Sequence, residues 1–466
     1  MSKTVAIIGG GFSGTLFALK LSRAHPDWQV LLIERRIRAG RGLAYGACAP
    51  YHLLNVPVSR MEVGLEPGFT AWLQARHSGI LEEALAETGG DLSSAFVSRE
   101  FFGEYLQERV NTASHGANLR RVRGSAVRLL DMPDRGVLLE DGREIKADAI
   151  VLAMGNLPPR PPGNPHDAFY DTMIFVPDPW AKDAFNHLAP DAPLLLIGTG
   201  LTMVDIALKR AAEGHRGTMH AISRHGLVPT AHRAGGKWDP FVKPATPLAL
   251  TRLIRAQVKE AEAKKIPWQR VIDAIRPNIA QVWDAWTQKQ RAQFLRHLRS
   301  RWDVHRHRMA PRIAEKLYGL MKSGQLHLGG GRIRGYAIVP AGVEVTLSSG
   351  EKLTVARVIN CTGPRSDLDR VGVPLIADLK RRNLIVPDPL GLGIETDDCA
   401  VIDTSGHASH WLFALGPLTR PAWWEITAVP EIAIQVDRLI DTFAAPQTKV
   451  RPPTLAEAFI YLGSGI

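Results

Sequence analysis

Apolar residues fall along this chain in short dense runs, and two of those runs are followed in the same way. Val5-Ala6-Ile7-Ile8 precedes Gly9-Gly10-Gly11-Phe12-Ser13-Gly14, after which Leu16, Phe17, Ala18, Leu19 and Leu21 take helical spacing. Leu194-Leu195-Leu196-Ile197 precedes Gly198-Thr199-Gly200-Leu201-Thr202-Met203-Val204-Asp205 and a second helical stretch. Each copy predicts a buried strand, a glycine turn and a helix. Each is followed by a second predicted strand, Val30-Leu31-Leu32-Ile33 and Met219-His220-Ala221-Ile222. Further on, Asp141-Gly142-Arg143-Glu144-Ile145 with Ile150-Val151-Leu152-Ala153-Met154-Gly155 matches Ser349-Gly350-Glu351-Lys352-Leu353 with Val358-Ile359-Asn360-Cys361-Thr362-Gly363. Each of these reads as a hairpin turn and then a buried parallel strand ending in glycine. The chain therefore holds two related units.

The glycine turns carry the first chemistry. In G-x-G-x-x-G, Gly9 allows the tight turn, Gly11 lets the backbone approach a pyrophosphate, and Gly14 lets helix and strand pack closely. The helix start, at Phe12 and Ser13, faces the negative charge. Glu34, ending the next strand, suits the ribose hydroxyls of an adenine dinucleotide, with Arg35 beside it. In the second copy Gly198, Gly200 and Thr202 form the turn, and Met203 replaces the third glycine, so looser helix–strand packing is expected. Its second strand ends in Ser223-Arg224 instead of an acid, which suits a ribose 2′-phosphate and favours NADPH over NADH.

Composition narrows the class. The chain has 466 residues, too many for one ordinary domain, and is 45% hydrophobic and 22% charged, as expected of a globular protein. No apolar run is long enough to span a membrane, and the first residues lack signal-peptide order, so a cytoplasmic protein is expected. Cys48, Cys361 and Cys399 lie far apart, which disfavours a disulfide scaffold, a zinc ribbon and a dithiol centre. The net charge is +11, but residues 251–312 alone carry 15 Lys or Arg against 5 Asp or Glu. The basicity belongs to one module. There Val271, Ile275, Ile279, Val282 and Trp286 have helical spacing, with breaks at Pro267 and Pro277. No nucleic-acid recognition motif accompanies it, so nucleic acid is not expected as a partner, and no metal site is expected.

These features carry a resemblance. The chain resembles the two-dinucleotide-binding-domain flavoproteins, and within them the FAD-NAD(P)-binding family related to flavin monooxygenases and N-hydroxylases. The landmarks are Gly42-Leu43-Ala44-Tyr45, His52-Leu53-Leu54-Asn55-Val56-Pro57, Arg99-Glu100-Phe101-Phe102-Gly103-Glu104-Tyr105-Leu106, Trp302-Asp303-Val304-His305-Arg306-His307-Arg308, Leu415-Gly416-Pro417-Leu418-Thr419-Arg420 and Trp424-Glu425-Ile426-Thr427-Ala428. The resemblance implies an α/β fold of two Rossmann-like, three-layer ββα domains, the NADPH domain inserted in the FAD domain. It places the FAD domain at 1–162 and 358–466, the NADPH domain at 163–245 and 323–357, and a basic helical insertion at 246–322. The proline-rich stretch 158–163 reads as the connector.

The resemblance also implies site residues. His52, Leu53 and Asn55 are expected beside the isoalloxazine and Tyr45 near the pyrophosphate. Val127, Gly155, Gly363 and Gly416 are further candidate cofactor contacts. A helix beginning near Thr427, with Pro430 in its first turn, would point the Thr427 and Ala428 N–H groups at the flavin. Candidate catalytic residues are Asn55, His305, Arg306 and Glu425, the last as general base or substrate anchor, with Trp423 and Trp424 as pocket walls or packing residues. The implied activity is an FAD-dependent NAD(P)H oxidoreductase, monooxygenase-like, acting on a small molecule, an anionic one being a candidate. The alternatives are an NADPH-dependent reductase or oxidase without oxygen insertion, and a non-enzymatic NADPH-sensing flavoprotein. The chain departs from three motifs found among or attached to such proteins. The F-x-G-x-x-x-H-x-x-x-W/F fingerprint is absent from Phe169-Tyr170-Asp171-Thr172-Met173-Ile174-Phe175, and so are a redox cysteine pair and a T-H-x-H-x-D-H cluster.

Overall fold

The computed structural model describes residues 2–444 except 78, 80, 132, 163–166, 365 and 369–371. The boundary expected at 162/163, the end of the connector at Gly163 and the chain end beyond 444 lie outside the described residues.

Five mutually parallel strands form the centre of the larger sheet, in the order Ala408–Ala414, Ala149–Leu152, Thr4–Ile8, Gln29–Glu34, Leu119–Arg123. Two short antiparallel strands, Ala400–Ile402 and Thr396–Asp397, extend one edge. A smaller sheet is wholly parallel, in the order Leu326–Gly330, Met219–Ser223, Leu194–Ile197, Arg357–Asn360, Phe175–Val176. Each sheet has its own three-stranded meander, spanning Ala126–Leu130 to Glu144–Lys146 in one and Ile333–Val339 to Lys352–Val355 in the other. The central strands are buried on both faces, as their unbroken apolar runs require.

The repeat holds at the level of single hydrogen bonds. The Gly9 N–H donates to Ile33 O and the Ala153 N–H to Ile8 O, each at 2.9 Å. The Gly198 N–H donates to Ile222 O at 2.7 Å and the Cys361 N–H to Ile197 O at 2.9 Å. Gly9 and Gly198 have φ of +112° and +109°, and a Cβ on either would meet the carbonyl of Ala153 or Cys361 within 2.5 Å. Only glycine fits both places. A Cβ on Gly14 would lie 2.0 Å from Gly9 O, so the helix Phe12–Ala24 rests directly on its strand. Met203, third in the helix Leu201–Ala212, is instead fully buried in the smaller unit's core, and a side chain fills that gap.

The basic segment is helical, and the apolar spacing over 271–286 becomes two short α-helices, Trp268–Asp273 and Ile279–Asp284, separated by a 3₁₀ turn at Arg276–Asn278 that contains Pro277. Val282, Trp283, Trp286 and Phe294 pack with Leu392 and Trp424 of the larger unit. The Trp283 and Trp424 rings stack 4.6 Å apart, so Trp424 fastens the insertion to the larger unit. At the limits expected at 322 and 357, the helix Pro311–Lys322 and the strand Arg357–Asn360 both lie with the smaller sheet. Ile313, Ala314 and Leu317 of the helix Pro311–Lys322 lie in the smaller unit's core, because that helix is the crossover feeding the strand Leu326–Gly330. No helix among the described residues is long and apolar enough to cross a membrane.

A Gly14→Ala variant is expected to lose about 1–3 kcal/mol of stability through overpacking against Gly9 O. Gly200→Ala, where a Cβ would meet nothing within 4 Å, is expected to unfold at the wild-type urea midpoint. Equal midpoints for both variants would contradict the packing role given to Gly14.

Candidate functional site

Between the two sheets and the insertion runs a continuous cleft of about 1330 Å³. The larger unit lines it with Gly9, Gly11, Phe12, Ser13, Glu34, Arg35, Tyr45, Asn55 and Gly155, and the smaller unit with Leu201, Thr202, Asp205 and Gly363, which follows its closing strand. Both glycine-loop helices thus begin on one cavity. A helix start leaves N–H groups without intrahelical acceptors, and those of Gly11, Phe12 and Ser13 find none among the described residues. The same holds for Leu201 and Thr202. Glu34 is fixed for an accepting role: its Oε2 takes the Gly10 N–H and its Oε1 the Arg36 N–H, each at 2.8 Å. Orphaned donors, a positioned carboxylate and the volume all fit an adenine dinucleotide. Gly14 and Gly198 serve packing and do not reach the cavity. Gly200 caps the second helix with open space beside it, and Gly416 (φ +73°) closes against the Ser13 hydroxyl.

Several expected contacts are placed elsewhere. His52 is buried away from the cleft: its Nδ1 accepts the Ala49 N–H at 3.0 Å, leaving Nε2–H to donate to Asp205 O at 3.2 Å. Burial holds its imidazole below the usual range, in keeping with that neutral tautomer. Leu53 packs in the smaller unit's core. Both residues join the units, and it is Leu54, Asn55, Val56 and Pro57 that line the cleft. Val127 is likewise replaced at the wall by Gly124, Ser125 and Ala126, the residues just before it. Ser223 Oγ accepts hydrogen bonds from Thr199 Oγ1 and the Gly226 N–H, while Arg224 is exposed next to it.

At the far end of the cleft the helix Val429–Ala444 begins, with Pro430 in its first turn. The Thr427 N–H is already committed to Glu425 O at 2.6 Å, so the donors that line the cleft here without a partner among the described residues are those of Ala428 and Val429. Glu425 does not face the cleft. It is 6% exposed, its Oε1 accepts the Trp302 indole N–H at 2.7 Å, and Arg306 and His307 lie 3.6 and 3.7 Å from Oε2. Burial works to raise its carboxyl, yet His307, Arg306 and the Trp302 N–H hold it below the ordinary range. Glu425 is thus placed as a counter-ion beside Arg306. His305 also turns away: its Nδ1 contacts Arg301 O and its ring meets Trp268 edge-on, because the helix Arg299–Arg306 directs residues 305 and 306 about 100° apart. Arg306, His307 and Arg308 line the cleft.

Three long-range pairings at the cleft were not visible in the sequence. Arg99 pairs with Asp205 across the units, Arg276 pairs with Glu431 at the helix start, and His232 Nε2 contacts Asn55 O at 2.9 Å. Only Arg99 had a local signal, a helix start after Ser98, whose side chain caps the Glu100 N–H. The other partners lie 155 and 177 residues apart.

Residues 6–157 match the model of the FAD-NAD(P)-binding family. No curated protein matches the chain. Its fold is similar to that of solved flavoenzymes over nearly the whole length. For the ornithine hydroxylase of Pseudomonas aeruginosa the TM-score is 0.63 at 14% identity, over 95% of this chain and 98% of that one. The L-lysine 6-monooxygenase of Pseudomonas syringae gives 0.62 at 16%, over 95% and 99%. The FAD-bound cadaverine monooxygenase of Erwinia amylovora gives 0.61 at 12%, over 97% and 99%.

Burial, and then Arg308, press the His232 imidazole down from 6.5 to about 4. The unfolded chain binds this proton first, so stability is full above pH 6.5 and falls as the pH drops toward 4, by about 2–3 kcal/mol. Urea unfolding across that window should show the loss in the wild type and a shallower slope in His232→Gln. Parallel slopes would remove His232 from the account.

Proposed function

We propose that this protein is an FAD-dependent NAD(P)H oxidoreductase of the monooxygenase type, preferring NADPH and acting on a small molecule. The observation that carries the reading is that two glycine-loop helices, one per unit, open their unpartnered N–H groups onto a single cleft. Matches to the FAD-NAD(P)-binding family and to amine and amino-acid hydroxylase folds support it. Bound FAD would accept hydride from NADPH and then react with dioxygen.

The chain's own part is binding and orientation. Gly11, Phe12 and Ser13 would hold the FAD pyrophosphate, with Glu34 on the ribose and Tyr45 close by. Ala428 and Val429, at a helix start with partial positive charge, would meet electron-rich carbonyl oxygens at the redox end. Asn55, whose carbonyl His232 fixes, lines that end from the opposite segment. Leu201 and Thr202 would take the second pyrophosphate, and Ser223 with Arg224 the 2′-phosphate. Eleven arginines line the cleft against six carboxylates, Glu34, Glu87, Asp178, Asp205, Asp273 and Glu315, which favours an anionic substrate. The three cysteines are unpaired, in keeping with action in the cytoplasm.

The protein is expected to purify with FAD and to be bleached by NADPH without oxygen. On admitting oxygen to the reduced protein, delayed return of the flavin spectrum is expected. Immediate return with stoichiometric hydrogen peroxide would move the assignment to a reductase or oxidase, and failure of NADPH to bleach it would favour a sensor. Arg224→Ala should weaken NADPH binding on the order of tenfold or more while leaving NADH unchanged. An unchanged ratio would remove the NADPH preference.

A further inference from the structure

The cleft ends, on the insertion side, at a guanidinium set between two carboxylates with most of its N–H groups unused. Arg306 is 6% exposed and faces the cleft. Of its five N–H groups one makes a hydrogen bond, Nη2 to Glu431 Oε1 at 3.3 Å. Its Nε is buried with no partner, 3.6 Å from Glu425 Oε2. Neither carboxylate makes a two-point contact with it, although Glu425 Oε2 and Glu431 Oε2 are themselves buried without hydrogen-bond partners. Glu425 accepts from Trp302 through Oε1, and Glu431 Oε1 already receives the shorter 2.6 Å bond from Arg276. Even a full bond from Nε to Glu425 would leave Nη1 unused. Arg99, by contrast, grips both oxygens of Asp205 and the Leu53 carbonyl.

Local charge makes the same point. Arg270, Arg276, Arg306 and Arg308 meet Asp273, Glu425 and Glu431, while Arg299 and Arg420 stand close by with Asp303. Burial lowers the proton affinity of the Arg306 and Arg308 guanidinia, so the nearby carboxylates do not fully offset the loss of water. A buried cation with spare N–H groups is the usual host of a carboxylate, which a planar guanidinium holds by two parallel bonds.

We propose that Arg306, with Arg276 beside it, binds a carboxylate of the substrate, so that the substrates are small organic or amino acids and not simple diamines. This rests on the cleft being the substrate site under the proposed function. It separates the chain from a cadaverine monooxygenase, whose named substrate has no carboxylate, and groups it with hydroxylases of amino acids.

The test pairs each carboxylate probe with a matched neutral or cationic one: benzoate with benzamide, glutarate with glutaramide, 5-aminopentanoate with cadaverine. Thermal denaturation and perturbation of the flavin spectrum are read on the purified FAD-containing protein. At least one carboxylate should bind 10- to 100-fold more tightly than its match, and Arg306→Lys should keep part of that preference. Arg306→Met should lose it, as should the double variant Arg306→Met/Glu425→Gln, which leaves no uncompensated buried carboxylate at Glu425. NADP⁺ affinity and FAD content should hold in every variant. No preference in the wild type, or the same preference in a folded Arg306→Met protein, would overturn the proposal. Because denaturation reads the carboxylate directly, that outcome is distinct from a failure of NADPH to reduce the flavin, which would instead undo the functional reading.

Discussion

Three contacts from the larger unit converge on Asp205, in the helix of the smaller one. Arg99 reaches its two carboxylate oxygens at 2.6 and 3.3 Å, and the His52 imidazole reaches its carbonyl. Arg99 Nε also donates to Leu53 O, so the same guanidinium fixes the loop that precedes Asn55. With Asp205 at 6% exposure this is a buried ion pair, and removing one partner of such a pair commonly costs about 3–5 kcal/mol. The pair ties the smaller unit's helix to the larger unit at the wall of the cleft.

On that frame the same device is used twice with different precision. In each unit a strand, a positive-φ glycine and a helix start turn N–H groups toward the junction, and the closing strand donates back to the first. Gly14 lets one helix lie flat on its strand, whereas Met203 spaces the other. The insertion completes the enclosure through the stacked Trp283 and Trp424, which brings Arg276, Arg306 and Arg308 to the helix start at Val429. The basic character of the segment is thus divided. Some arginines are buried at the cleft, and others, such as Arg296 and Arg301, remain on its outer surface.

What the sequence made legible follows range. Strand, glycine turn, helix and acid lie within about thirty residues, so local spacing was enough to find both loops, Glu34, and the closing strands. The landmark segments located the cleft wall but not the facing of each side chain. In 52–57 the expected His52 and Leu53 point into the unit junction, and their neighbours Leu54 and Asn55 point to the cleft. In 305–308 the expected Arg306 lines the cleft while His305 turns to Trp268, one position on a helix being a large rotation. Glu425 looked like the carboxylate near the flavin because nothing local revealed that Trp302, Arg306 and His307 surround it. Arg99, Arg276 and His232 act on partners more than a hundred residues away, and no periodicity records such a pairing.

The account depends above all on one preformed cleft that receives both dinucleotides while the two units stay in place. A crystal structure of the protein loaded with FAD and NADP⁺ measures this directly. It should show the FAD pyrophosphate on Gly11–Ser13, the second pyrophosphate at Leu201 and Thr202, and Arg99 still paired with Asp205. A broken Arg99–Asp205 pair with the units rotated apart, or NADP⁺ bound outside the cleft, would contradict it.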